Sequence, residues 1–365
     1  MWSPLTVQLI RAACDEDLGA LGDVSSALLP DADADVAARV LSRAAGVICG
    51  LALGPAICDV FSQRLGNPLR FEPAPGQPHE RQNPARQGGA NAVSPGASTG
   101  SAAPADGDRI QRGQVVAYVH GPKAAVLAVE RTLLNFLCRM SGVATLTRRF
   151  VDAARAANPH VQLLDTRKTL PGWRELDRYA VRCGGGQNHR MGLYDAVLIK
   201  DNHLAGVPLE RLAETLAAML ERLRCATAVS AVAGHEGTAH RAVAHGSEPG
   251  AEAAGQSERE AQASAARKDA TATRFVEVEV GRIEQLAEVC KLPGVDIVLL
   301  DNFTPEQMRA AVKLRDDRGL RGMLLEASGG VTLANVAEIA ATGVDRISIG
   351  ALTHSAPALD LALEL

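Results

Sequence analysis

The chain lacks the cysteine pattern of a disulfide scaffold or a zinc module. Its seven cysteines (Cys14, Cys49, Cys58, Cys138, Cys183, Cys225 and Cys290) are odd in number and scattered, with no CxxC. Reduced thiols in a cytosol fit this usage. A general excess of basic charge is also missing. The net charge is -4, which argues against a nucleic-acid-binding surface. No charged segment followed by an apolar run opens the chain, so no secretory signal is read. The longest apolar run, near residues 46–57, is too short and too rich in glycine to span a membrane. These absences lead us to expect a cytoplasmic protein with neither membrane nor nucleic acid as partner.

What remains is a globular composition. Of 365 residues, 47% are apolar and 22% charged, enough for two ordinary domains and a sizeable core. Leu5, Leu9, Ile10 and Ala13 repeat at helical spacing before Asp17-Leu18-Gly19 breaks the pattern. Residues 36–49 read as strand and 51–65 as helix. Residues 74–104 are rich in Pro, Gly, Ala, Ser and Gln; they bury too little to offset their ordering entropy and are expected to form a disordered insertion. Residues 123–140 are strongly periodic, and Ser141 is expected to cap a second helix running to about Ala157.

From there strand and helix alternate. Strands are expected at 161–164, 196–199, 275–280, 297–300, 323–326 and 346–349, with helices between them, which implies a parallel sheet. Six strands with polar residues at their C-terminal ends suggest a barrel of fewer than eight strands. Residues 225–273 interrupt the alternation and are expected to be a second disordered insertion.

The strand ends carry the chemistry. Arg167-Lys168 closes one strand, His189-Arg190 lies in the following loop, and Lys200 closes the next. Arginine offers a planar fork for a carboxylate and lysine a point charge for a phosphate. Such a group of cations without adjacent acids calls for an anion; a solvated basic loop is a weak alternative for Lys200 and an equal one for Arg190. Glu279 and Asp301 end consecutive strands and are hard carboxylates of the kind that suits magnesium. Glu277 shares the strand face of Glu279, and spacing alone does not choose between them. Ser328-Gly329-Gly330 and Gly350-Ala351 follow the last two strands, where glycine turns bring backbone amides close to a phosphate. Thr353 and His354 stand just beyond. Arg131, inside the long helix, has no role that spacing alone assigns.

Seven motifs now stand in order: Glu130-Arg131-Thr132-Leu133-Leu134-Asn135, Asp165-Thr166-Arg167-Lys168-Thr169, Gly184-Gly185-Gly186 through Asn188-His189-Arg190, Leu198-Ile199-Lys200-Asp201-Asn202-His203, Val276-Glu277-Val278-Glu279-Val280, Leu299-Leu300-Asp301-Asn302 and Glu326-Ala327-Ser328-Gly329-Gly330. Together they resemble quinolinate phosphoribosyltransferase, also called nicotinate-nucleotide pyrophosphorylase (carboxylating). The likeness runs from Glu16 to the C-terminus outside the two insertions. It implies an α/β fold: an N-terminal α/β sandwich domain (1–122) plus an incomplete parallel α/β barrel (123–354), with 355–365 packing back on the first domain. It implies transfer of phosphoribose from phosphoribosyl pyrophosphate to quinolinate with decarboxylation, Mg²⁺ as cofactor, and a homodimer.

The resemblance also assigns residues. Arg131 is expected to be donated across the dimer to quinolinate, beside Arg167, His189, Arg190 and Lys200. Lys168, Glu279 and Asp301 carry catalysis around the ribose, pyrophosphate and metal, which favours Glu279 over Glu277. Ser328, Gly329, Gly350 and His354 seat the 5′-phosphate. The rivals are a paralogue tied to molybdenum transport, a lipoyl- or biotin-type carrier module suggested by Asp106-Gly107-Asp108, and a barrel that binds anions without catalysis. The full Thr166-Arg167-Lys168 and Asn188-His189-Arg190 patterns argue against the first. The lack of a lysine at a hairpin tip argues against the second.

Overall fold

A computed structural model of the chain describes residues 2–75, 103–236 (the backbone alone from 225) and 275–365. The expected insertion at 74–104 lies almost wholly outside the described residues, and so does most of that at 225–273. In chain order the elements begin with α1 (Pro4–Leu18), β1 (Asp35–Ser42), β2 (Gly46–Val47), α2 (Gly54–Leu65), β3 (Arg70–Pro73), β4 (Arg109–Ile110), β5 (Val115–Pro122) and α3 (Lys123–Ala157). Next come β6 (Gln162–Leu164), α4 (Arg174–Cys183), β7 (Val197–Ile199), α5 (Leu209–Glu236), β8 (Val276–Val280), α6 (Ile283–Val289), β9 (Ile297–Asp301) and α7 (Pro305–Asp317). The chain finishes with β10 (Leu324–Ser328), α8 (Val336–Ala340), β11 (Arg346–Ser348), α9 (Ala351–His354) and β12 (Leu361–Glu364).

The chain divides into two compact units. One comprises Met1–His189, Val331–Ala337 and Ser348–Leu365; the other comprises Arg190–Gly330 and Glu338–Ile347. This cut differs from the boundary expected after residue 122.

The first unit holds an antiparallel sheet in the order β12-β1-β5-β3. The C-terminal strand β12 pairs with β1, setting Leu361 opposite Ser42 and Glu364 opposite Arg39. Local signals start α1 cleanly. The Ser3 hydroxyl accepts from the Thr6 N–H, and Pro4 takes the first helical position, where its missing N–H costs nothing. Ile10, Cys14 and Leu18, four residues apart, form its buried stripe.

The two helices expected over 123–157 are one. Ser141 does not cap a helix: it is buried inside α3, where its hydroxyl accepts from the Cys49 N–H (3.0 Å) and donates to the Cys49 carbonyl (3.1 Å). Gly142 does not break the helix either. A Cβ there would collide with the Pro357 carbonyl, so this glycine serves close packing. Thus a serine–glycine pair that resembles a helix start is set by its tertiary neighbours.

The parallel strands follow the order β6-β11-β10-β9-β8-β7. Their apolar content buries Val276, Val278 and Val280 on β8 and Ile297 through Leu300 on β9. Register places polar residues in rows. Glu279 lies opposite Leu299, Leu299 opposite Glu326, and Glu326 opposite Arg346; Asp301 lies opposite Ser328. Side chains at matched positions of parallel strands share a face, so strand ends two residues apart supply successive polar rows. Helix α7 starts on a capping box between Thr304 and Gln307, with Pro305 at the first turn. Helix α5 continues through Glu236, past the expected insertion boundary at Cys225. No helix among the described residues is long and apolar enough to cross a membrane.

Candidate active site

The residues singled out by the sequence fall on both units, each taken by itself. In the first unit, Arg167 and Lys168 follow β6 with exposed side chains, and among the described residues neither forms an ion pair. The turn carrying them is held by its backbone. Lys168 N–H donates to Thr166 Oγ1 (3.1 Å), and Thr169 N–H to the Arg167 carbonyl (2.9 Å).

His189 is buried and positioned by Asp165, the first residue of the Arg167-Lys168 motif. Asp165 accepts from the His189 N–H (2.8 Å) and from Asn188 Nδ2 (2.5 Å), while Arg178 donates to the His189 carbonyl (2.9 Å). Burial pushes the Asp165 carboxyl above its ordinary value, against the pull of Arg178 and the His189 and Asn188 hydrogen bonds. Arg131 stands on the open surface of α3, 65% exposed, beside Glu130 at 3.7 Å. A single neighbour at that exposure fixes it little.

Gly350 opens α9. A Cβ there would lie 3.0 Å from Lys168 Cδ and 3.2 Å from the His354 ring, so the lysine stem lies across a bare backbone. His354 is exposed, with its Nδ1 at 2.6 Å from Ser355 Oγ. Thr353 is fully buried and donates to the Lys168 carbonyl (2.7 Å). Its hydroxyl therefore points at the lysine backbone.

In the second unit, Lys200 and Glu279 meet. Lys200 Nζ lies 2.5 Å from Glu279 Oε2, with the lysine side chain 42% and the glutamate 9% exposed. The cation at the end of β7 thus has an acidic partner, contrary to the sequence expectation of cations without adjacent acids; a separation of 79 residues hid it. Lys200 N–H also donates to His203 Nδ1 (2.8 Å). Arg190 is buried and donates to the Ala196 carbonyl (3.1 Å). A buried arginine with a backbone partner removes the solvated-loop reading for this position.

Asp301 accepts from Asn302 Nδ2 (2.9 Å). Asn302 has φ 55 and donates its N–H to the Ser328 carbonyl (2.9 Å). Gly329 has φ 93, and a Cβ there would strike the Asn302 side chain. Both conditions require glycine. The two strand ends are thereby locked together, with Asp301 and Ser328 side by side.

Burial separates the two glutamates of β8. Glu277 is wholly buried, whereas Glu279 contacts Lys200 near solvent. Sequence reasoning missed the buried pair Glu326–Arg346, 2.8 Å apart on neighbouring strands. A trace of it was present: a lone acid in Leu324-Leu325-Glu326-Ala327 and a lone base heading Arg346-Ile347. Arg139 and Asp177, which meet at 3.1 Å, left no such trace.

This set of cations, carboxylates and glycine turns suits a multiply anionic substrate. A model described as "Quinolinate phosphoribosyl transferase, C-terminal domain" matches residues 143–229 and 251–364, and the corresponding N-terminal domain model matches 89–141. The chain belongs to the quinolinate phosphoribosyltransferase family.

Named relatives agree. A nicotinate-nucleotide pyrophosphorylase [carboxylating] from Mycobacterium leprae is 40% identical over 261 residues, covering 71% of this chain and 72% of that one. A probable enzyme of the same name from Methanothermobacter thermautotrophicus is 31% identical over 360 residues, 98% of each chain. The solved structure of the nicotinate-nucleotide pyrophosphorylase from Francisella tularensis superposes with a TM-score of 0.66 at 27% identity, covering 100% of this chain and 97% of that one. The quinolinate phosphoribosyltransferase fold is therefore shared by a mixed α/β chain with, among the described residues, one parallel and two antiparallel sheets.

Proposed function

We propose that this chain transfers the phosphoribosyl group of phosphoribosyl pyrophosphate to the ring nitrogen of quinolinate, with loss of CO₂, giving nicotinate mononucleotide and pyrophosphate. This is the step at which de novo NAD synthesis forms its pyridine nucleotide. The observation that carries the reading is family membership along nearly the whole chain. The relatives' names favour it over the molybdenum-transport paralogue.

Quinolinate carries two carboxylates. Arg131, Arg167, His189, Arg190 and Lys200 are the groups assigned to them, and arginine forks add geometry to charge. The nitrogen attacks the anomeric carbon as pyrophosphate leaves, and Lys168 stabilises the departing charge. Glu279 and Asp301 face the cationic ribosyl centre. The Lys200–Glu279 pair supports this division, because each charge steadies the other before substrate arrives. Once the ring nitrogen is quaternised it is the electron sink for decarboxylation, so no further base is required. Positioning and electrostatics then carry the rate, without a covalent enzyme intermediate.

The donor set fits Mg²⁺. Among the described residues Asp301 offers a carboxylate held by a neighbouring amide, whereas Glu279 is engaged by an ammonium. Asp301 is thus the residue that would hold the ion, with substrate phosphates completing its shell. When bound, the ion would neutralise pyrophosphate charge. Ser328, Gly329, Gly350 and His354 are assigned to the 5′-phosphate. The exposure of Arg131 supports its donation to the second copy of a homodimer. A cytoplasmic location belongs to the same reading.

The test is direct. Purified protein with Mg²⁺, phosphoribosyl pyrophosphate and carboxyl-labelled quinolinate should release labelled CO₂ and form nicotinate mononucleotide. Turnover of nicotinic acid without turnover of quinolinate would sink the assignment.

A further inference from the structure

We propose that Thr353 is a positioning residue for Lys168, closing a ring of polar contacts that fixes the lysine against the Gly350 turn. This rests on the reading that Lys168 meets the pyrophosphate.

Every link lies in the first unit. The buried Thr353 hydroxyl has two carbonyls in reach, Lys168 at 2.7 Å and Gly350 at 3.3 Å. The shorter contact has the normal hydroxyl distance and takes the proton. The Thr353 carbonyl accepts from the Arg139 guanidinium, which also reaches the Ala356 carbonyl at 3.4 Å. Arg139 in turn grips Asp177, with Nη2 at 3.1 Å and Nε at 3.3 Å from Oδ1. The Asp177 carboxylate accepts from the Leu170 N–H, two residues beyond Lys168. The ring thus leaves Lys168, crosses to the segment after β11, passes through α3 and α4, and returns to the lysine loop.

The ring has a purpose that side-chain contacts alone do not serve. Lys168 is exposed, and its long stem is free to sample many rotamers. Ordering such a side chain on a ligand costs conformational entropy. Holding its backbone while the stem lies over Gly350, 3.0 Å from where a Cβ would be, removes part of that freedom beforehand. In the sequence Thr353 stands just beyond the last glycine turn. Its geometry places it behind the cation.

The test compares Thr353→Val, Thr353→Ser and Gly350→Ala. In Thr353→Val, kcat/KM for phosphoribosyl pyrophosphate should fall about tenfold, equivalent to about 1.4 kcal/mol. The KM for quinolinate should change by less than about twofold. Thr353→Ser should restore the wild-type value within about twofold. The melting temperature of Thr353→Val should drop by no more than roughly 2 °C, because the released carbonyl belongs to an exposed loop. Gly350→Ala, which displaces the stem and removes no hydrogen bond, should show the same split between substrates. An unchanged kcat/KM in Thr353→Val, or an equal loss for both substrates, overturns the proposal. If Thr353→Val fails to fold, an unchanged kcat/KM in Gly350→Ala overturns it instead. A wild-type protein that releases no CO₂ from quinolinate defeats the parent reading; an active wild type with an indifferent Thr353→Val defeats this inference alone.

Discussion

The two units handle charge differently. In the first, Arg167 and Lys168 stand exposed without ion pairs among the described residues, on a loop fastened through its backbone by Thr353 and Asp177, while the buried Asp165 holds the His189 backbone. In the second, Lys200 is matched with Glu279, and Asp301 is tied to Asn302. One region keeps its cations open and spends its buried acids on scaffolding. The other compensates its charges directly. The lesson is that an unpaired cation needs a rigid support, whereas a paired one carries its support with it.

The largest expected effect lies on the open side. Lys168→Ala and Arg131→Ala should each lose about a thousandfold in CO₂ release, the scale of one strong electrostatic contact in a closed site. Mixed dimers of the two variants should regain turnover, since one composite site would be intact. No recovery would remove the shared site and leave Arg131 as a surface residue. Residual activity within tenfold of wild type in Lys168→Ala would erase the contrast between the units.

A smaller effect concerns the buried scaffolding acid. Burial raises the Asp177 carboxyl to about 6, above its ordinary 3.8; Arg139 and the Leu170 N–H oppose the shift, and Asp165 adds to it. Between these values the folded chain holds a proton that the unfolded chain has released. Stability from this group is therefore full below about pH 4, lost as pH rises towards 6, and flat above. The stability of wild type minus that of Asp177→Asn should fall by roughly 1 kcal/mol between pH 5 and pH 7, as read by denaturant unfolding. A constant difference would show that Asp177 is not a buried acid of this kind.

The smallest effect tests the compensated side. Lys200→Met should cost about 1 kcal/mol, roughly 2 °C in melting temperature, because the lysine is half open to solvent. Adding Glu279→Gln should recover most of that stability and none of the activity. If the double variant is no more stable than Lys200→Met, the pair contributes nothing to the fold.

Much of this was legible beforehand, and the particular failures are instructive. Strand–helix alternation gave the parallel strands within one or two residues, and the polar ends at Asp301 and Ser328 fell where expected. Ser141 misled, because a cap and a buried packing serine have the same identity and differ only in what lies opposite. Spacing left the choice between Glu277 and Glu279 open; the resemblance favours Glu279, and the two differ in burial. Arg139 and Asp177 went unnoticed because a basic residue in one helix and an acid in another look like ordinary surface charges until the helices pack.

The sequence by itself determined the periodic elements, the order of charged and glycine-rich strand ends, and the family. These are local or ordered signals, carried by residues a few positions apart. Only the tertiary structure decided which charges meet. Lys200 and Glu279 are separated by 79 residues, and Thr353 and Lys168 by 185. A hydrogen bond or ion pair acts within about 3–4 Å, so its existence depends on strand register and helix packing, which no local pattern encodes.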